Sequence, residues 1–173
     1  MIVEEGAALT ASDLLIDGSE GDGLTVRDGG IADVTGGHFW ENRGGIYVDN
    51  GTLSIQSSEA RYNADYGFKI YGTAGQHSVL VTGCTISNNS VFGFLLGLEA
   101  RPVVNGCEIF LNRPAGDPVA VELSPGYSNT EDIDMTGNYW GVTTAPEISA
   151  QINLNGADVT VDFSGFLASP PLD

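Results

Sequence analysis

A four-residue phrase, glycine then apolar then any residue then apolar, recurs along this chain at a nearly fixed interval. Gly23-Leu24-Thr25-Val26, Gly45-Ile46-Tyr47-Val48 and Gly67-Phe68-Lys69-Ile70 begin 22 residues apart. Gly93-Phe94-Leu95-Leu96 follows 26 residues later, and Pro118-Val119-Ala120-Val121 another 25. A repeat this short has room for strands and corners but not for a helix in each unit, which predicts a solenoid. Within the phrase, period-2 alternation turns Leu24, Val26, Ile46, Val48, Phe68, Ile70, Phe94, Leu96, Val119 and Val121 inward, one layer of core per coil.

A second phrase keeps the same period. It runs from Leu53-Ser54-Ile55 to Ser58, Ala60 and Asn63, from Leu80-Val81 to Cys84, Ile86 and Asn89, and from Val103-Val104 to Cys107, Ile109 and Asn112. The same spacing recovers Gly37, Phe39 and Asn42 upstream, with Leu14, Ile16 and Ser19 as a weaker first copy. Asn42, Asn63, Asn89 and Asn112 thus occupy one position of successive coils and read as a structural asparagine ladder. A short amide there tolerates a left-handed corner and bonds to equivalent neighbours above and below. The expected fold is an all-β, single-domain parallel β-helix of about six coils over residues 1–145, closed by a short cap over 146–173.

Charge limits the partners. The net charge is −17, with 23 acidic residues against 6 basic ones, so no basic stripe exists to neutralise phosphates and nucleic acid is excluded as a partner. Anionic membranes are disfavoured for the same reason, and no apolar stretch is long enough to span a bilayer. The sequence starts at Met1-Ile2-Val3 inside repeat-like residues with no cap over the first coil, so it is expected to be a domain of a longer parent chain with covalently linked neighbours.

Cys84 and Cys107 share one repeat position and should stack as buried fillers in a column with Ser58 and Leu14. A disulfide is within reach but is not favoured by parallel side chains. His38 and His77 are isolated, so no metal role is expected for any of the four. No cofactor is expected. Calcium at Asp17-Gly18-Ser19-Glu20-Gly21-Asp22 stays open, although that segment fits neither the EF-hand loop nor the glycine-rich nonapeptide, and an acidic corner is the plainer reading.

The phrase from Val81 to Cys84-Thr85-Ile86-Ser87-Asn88-Asn89, followed by Gly93-Phe94, resembles the repeat of pectate-lyase-like right-handed β-helix proteins. Gly137-Asn138-Tyr139-Trp140-Gly141 is similar to the last-coil signature of secreted bacterial and archaeal members. So is the closing stretch from Ala145-Pro146-Glu147-Ile148 to Pro170-Pro171. The resemblance implies a right-handed coil and a secreted or cell-surface location. It does not choose among lyases, hydrolases, epimerases, adhesins and scaffolds. On its own physics the tail reads as a short helix with proline in its first turn, an alternating strand from Val159 to Phe163, and Trp140 with Tyr139 plugging the core end.

In folds of this kind ligands lie along the outward face of each coil's first strand. Two outward columns are expected there: Thr25, Tyr47, Lys69, Leu95, Ala120 and Arg27, Asp49, Tyr71, Gly97, Glu122. Arg27, Tyr47, Asp49, Lys69 and Tyr71 then form one candidate ligand-binding patch, with tyrosine rings for the C–H faces of a sugar and charges for its hydroxyls. The plainer alternative is an exposed sheet face with Arg27–Asp49 and Lys69–Asp49 cross-strand pairs. A lyase would need a calcium cage beside Lys69 or Arg27, and Asp49 is the lone carboxylate on these columns; a hydrolase would need clustered aspartates. No catalytic residue is therefore assigned. The expected function is a non-catalytic extracellular module, carbohydrate-binding or structural, with a polysaccharide as the partner. A polysaccharide lyase or glycoside hydrolase acting on the same face is the alternative.

Overall fold

The computed structural model describes residues 1–73, 75 and 77–171. Its strands wind into a parallel β-helix with three long sheets. The first sheet stacks Ile2–Val3, Asp22–Arg27, Gly44–Asp49, Tyr66–Gly72, Phe92–Leu98, Val121–Leu123 and Ile152–Asn153. The second stacks Ala8–Ser12, Ile31–Thr35, Thr52–Gln56, Ser78–Thr82 and Val103–Asn105, and the third stacks Leu15–Asp17, His38–Trp40, Glu59–Arg61, Thr85–Ser87 and Glu108–Phe110. One strand of each per coil gives 5 complete coils rather than about six. Ile133–Asp134 pairs with Val161–Asp162 beyond them. In the insertion between Gly72 and Ser78, Ala74 and Gln76 lie outside the described residues, as do Leu172 and Asp173 of the closing segment.

The glycine phrase sets the register of the first sheet. Leu24, Ile46, Phe68 and Phe94 stand side by side, as do Val26, Val48, Ile70 and Leu96, and all are sealed from solvent. Phe68 and Phe94 stack with centroids 5.1 Å apart. The fifth copy departs from expectation. Val121 pairs with Phe94 and Leu123 with Leu96, so the register lies two residues later than the Pro118 alignment gives. Glu122 therefore stands in the column of Thr25, Tyr47, Lys69 and Leu95, and Ala120 drops to the strand entrance, where its carbonyl accepts Phe94 N–H at 2.8 Å.

The corners correct one physical reason. None of Asn42, Asn63, Asn89 and Asn112 is left-handed; the residue before each one is, at φ 53° for Glu41, 57° for Tyr62, 57° for Asn88 and 52° for Leu111. The ladder position is selected by hydrogen bonding instead. Asn42 Oδ1 accepts Ser19 N–H, Asn63 Oδ1 accepts Asn42 N–H, Asn89 Oδ1 accepts Asn63 N–H and Asn112 Oδ1 accepts Asn89 N–H, at 2.9–3.2 Å. Each amide nitrogen also donates to a third-sheet carbonyl one coil below, from Ile16 up to Ile86. Buried corner groups are thereby satisfied without water.

The cysteine column works the same way at the corner between the second and third sheets. Cys84 and Cys107 are free thiols, and they act as acceptors as well as fillers: Cys84 N–H donates to Cys107 Sγ at 3.3 Å. Ser58 Oγ takes Gly37 N–H and Asn138 Oδ1 takes Cys107 N–H, both at 2.8 Å. The hydrogen bond with Cys84, and then burial, push the Cys107 thiol up.

At the far end a helix spans Ala145–Ser149 with proline in its first turn and Ile148 buried. Trp140 is inward and sealed, edge-on to Phe163 at 6.4 Å, whereas Tyr139 stands half-buried beside Phe110. The closing segment adds Ile152–Asn153 to the first sheet next to Val121–Leu123.

Candidate functional site on the first sheet

Arg27, Asp49 and Tyr71 are in register across three successive strands, and Tyr47 faces Lys69 in the column beside them. The five candidate residues therefore share one face, but their contacts differ from the expected cross-strand pairs. Arg27 is drawn away to Glu4 on the first coil, with Asp28 also near at 3.7 Å. Asp49 accepts from Tyr47 Oη at 3.1 Å and from Asn50 Nδ2 at 3.2 Å. Lys69 makes no ion pair among the described residues and instead sits among aromatic rings.

Lys69 Nζ lies 4.9 Å from the Tyr47 centroid, 5.2 Å from Tyr71 and 5.8 Å from Tyr66. Each such contact is worth about 0.5–1 kcal/mol at an exposed site, so together they fix the ammonium without a carboxylate. Tyr47 and Tyr71 meet edge to face at 6.5 Å.

Two glycines make the aromatic arrangement possible. A Cβ on Gly97 would lie 2.3 Å from the Tyr71 ring, and one on Gly44 would lie 2.6 Å from the Tyr66 ring. Tyr71 thus lies over the next coil and Tyr66 over the previous one, each on a position that must lack a side chain. Tyr66 Oη is tied down by a 2.5 Å bond to Asp22. Tyr66, Asp22 and Gly44 are parts of the site that the sequence reading missed, whereas Gly97 stands beside Tyr71 on the outward column where it was expected; the available signal was Tyr66 standing directly before the repeated glycine Gly67.

Asp22, Arg43, Tyr47, Asp65, Tyr66 and Lys69 line a surface cavity of about 190 Å³. Burial, then the Asp49 charge and hydrogen bond, push the Tyr47 phenol up to about 12. Burial and the bond to Asp22 push Tyr66 up further. Both rings are neutral donors near neutral pH. The acceptor lone pairs of the phenol oxygens, two carboxylates, two cations and aromatic faces can bind a polyhydroxylated molecule through hydrogen bonds and stacking.

A larger cavity, about 420 Å³, lies further along the solenoid and includes His77, Glu99, Arg101, Asn129 and Glu131. Both His77 nitrogens are already engaged there, one at 3.0 Å from Thr73 O and the other accepting Arg101 N–H at 3.1 Å. Arg101 pairs with Glu131. These contacts fasten loops. Among the described residues no group of three or more His, Cys, Asp and Glu side chains is placed to hold a metal ion, and no helix is long and apolar enough to cross a membrane.

No curated protein and no solved structure matches the chain. The model of the family described as "Right handed beta helix region" matches residues 1–138, most of the sequence. Together with the parallel three-sheet coil, this match establishes that the chain belongs to the right-handed β-helix family.

Proposed function

We propose that this β-helix is a non-catalytic extracellular module that binds carbohydrate on the outward face of its first sheet, within a longer secreted or surface protein. The observation that carries the reading is Lys69, held by Tyr47, Tyr66 and Tyr71 with no carboxylate partner among the described residues. An aromatic floor of this kind offers a sugar ring its stacking surface, and the hydroxyls and carboxylates around it offer directional bonds. The extracellular placement rests on the similarity of the closing segment to secreted β-helix proteins.

The same geometry favours binding over chemistry. A lyase on this face would use Arg27 or Lys69 as a deprotonated base, whereas Arg27 is bonded to Glu4, which holds its guanidinium in the protonated form. Calcium would need several oxygen ligands, and Asp49 is already shared by Tyr47 and Asn50.

The test is a glycan array probed with the intact protein, with and without millimolar calcium, beside the Tyr47→Ala/Tyr71→Ala double variant. Binding that the double variant loses supports the reading. No binding under either condition overturns it and leaves a structural module, and binding indifferent to both rings overturns the placement on the first sheet. Polysaccharide cleavage that disappears in Lys69→Ala would make the protein an enzyme instead.

A further inference from the structure

The cysteine column at the corner between the second and third sheets has a chemistry that the first-sheet reading does not use. Cys84 and Cys107 occupy one position of consecutive coils, and both are buried free thiols. Their sulfurs are placed alike. Cys84 Sγ lies 3.3 Å from Thr82 O and 3.8 Å from Ile55 O, and Cys107 Sγ lies 3.4 Å from Asn105 O and 3.6 Å from Val81 O. Thr82 is in register with Asn105, and Ile55 with Val81. The second sulfur is therefore a copy of the first moved along the solenoid by one strand spacing, about 4.8 Å.

That separation selects among the things two thiols can do. A disulfide holds its sulfurs about 2.05 Å apart, so the stacked pair would have to leave its place to form one. A metal–sulfur bond is about 2.3 Å long, and two of them in line span about 4.6 Å. The stacking distance thus matches a cation held between the sulfurs and exceeds a disulfide.

The number of ligands selects the ion. Thiolate sulfur favours soft cations, Cu(I) and Zn(II) among them. Zn(II) takes four ligands, and among the described residues no third His, Cys, Asp or Glu joins the pair. Cu(I) is satisfied by two thiolates in line. The backbone also suits a sulfur anion, since Cys84 N–H donates to Cys107 Sγ at 3.3 Å, a hydrogen bond that favours the charged form.

A cavity of about 380 Å³ opens on the pair. Cys84 is part of its wall, with Ser58 beside it, and Cys107 is stacked behind Cys84. Glu59 and Glu108 flank Thr85 in one column of the third sheet and line the same cavity. A cation therefore meets two carboxylates before it meets sulfur, and a chain of net charge −17 draws cations towards such an entrance.

We propose that Cys84 and Cys107 are a binding site for one soft monovalent cation, Cu(I), held in line between the two sulfurs and reached through the cavity lined by Glu59 and Glu108. Each thiol gives its proton to solvent as its sulfur bonds the metal, so one ion enters as two protons leave and no electron is transferred. The site does not depend on the first-sheet reading.

The test is an oxygen-free titration of the reduced intact protein with Cu(I) against a chromophoric Cu(I) chelator. Native mass spectrometry reads the stoichiometry and X-ray absorption reads the ligands. The expected result is one ion per chain with two sulfur neighbours, released protons, and an affinity that rises with pH. Cys84→Ser and Cys107→Ser should each weaken binding by more than the roughly 10–100-fold that loss of a supporting group costs. A serine already fills this column at Ser58, where its hydroxyl takes Gly37 N–H, so both variants should fold. Thermal unfolding should move upward with Cu(I), because the folded chain holds the two sulfurs together. No ion retained against the chelator, two ions per chain, or full retention by either serine variant overturns the proposal. So does a lower melting temperature with Cu(I), which would mark a site of the opened chain alone.

Discussion

Asn89 takes two bonds from Asn63 through a single oxygen: Oδ1 accepts the Asn63 backbone N–H at 3.1 Å and the Asn63 side-chain amide at 2.9 Å. Its own amide donates to Ala60 O and to Asn112, so one side chain ties coils on both sides. Replacing it by alanine takes the acceptor from the sealed Asn63 N–H and side-chain amide and the side-chain donor from Ala60 O, while Asn112 keeps only the bond from the backbone N–H of residue 89. Asn89→Ala should cost about 3–5 kcal/mol, measured by urea unfolding, which is large for a polar residue because each orphaned buried group costs about 1–3 kcal/mol.

Gly97→Ala tests the aromatic floor. The added methyl would meet the Tyr71 ring at 2.3 Å, so the ring must leave its place over the next coil. The expected outcome is a stability loss of about 1–3 kcal/mol by urea unfolding, with loss of glycan binding on the first sheet.

Tyr47 gives a pH signature. Its phenol is raised from 10.0 to about 12 in the folded protein, first by burial and then by Asp49. The unfolded chain therefore ionises first, and the contribution of Tyr47 to stability is fully present below about pH 10 and is lost as pH rises towards 12. Thermal unfolding followed across that window should show a decline that is shallower in Tyr47→Phe.

Asp134 gives the opposite sign. Desolvation opposes its ionisation, but bonds from Thr136 and Asn105 outweigh that and hold the carboxyl below its usual range. The stabilisation is present above the unfolded pKa and lost as pH falls through the folded one. Asp134→Asn should therefore lower stability at neutral pH, and the difference from the parent protein should close below about pH 4.

Much of the architecture was legible because strand pairing copies the repeat. A spacing of 22 residues between Gly23, Gly45 and Gly67 became a register in which Thr25, Tyr47 and Lys69 are neighbours. The fifth copy was misread for a reason built into strands. A slip of one residue turns every side chain to the wrong face, but a slip of two leaves the pattern intact. Val119, Val121 and Leu123 alternate equally well in either frame, and the structure sets Val121 beside Phe94. The site was half legible for a related reason. Alternation places Tyr47, Lys69 and Tyr71 on one face, but it does not specify where long side chains lean. Arg27 reached for Glu4 rather than Asp49, and Lys69 for rings rather than a carboxylate.

The central claim is that the tyrosine cluster around Lys69 receives a saccharide, and chemical-shift mapping tests it most directly on a protein of 18.1 kDa. An isotope-labelled sample would be titrated with each oligosaccharide that binds on the array. The account predicts shifts at Tyr47, Tyr66, Lys69 and Tyr71 that saturate together, with those at Tyr66 and Lys69 lost in the Tyr47→Ala/Tyr71→Ala variant. Saturable binding that leaves those four residues unmoved would contradict it.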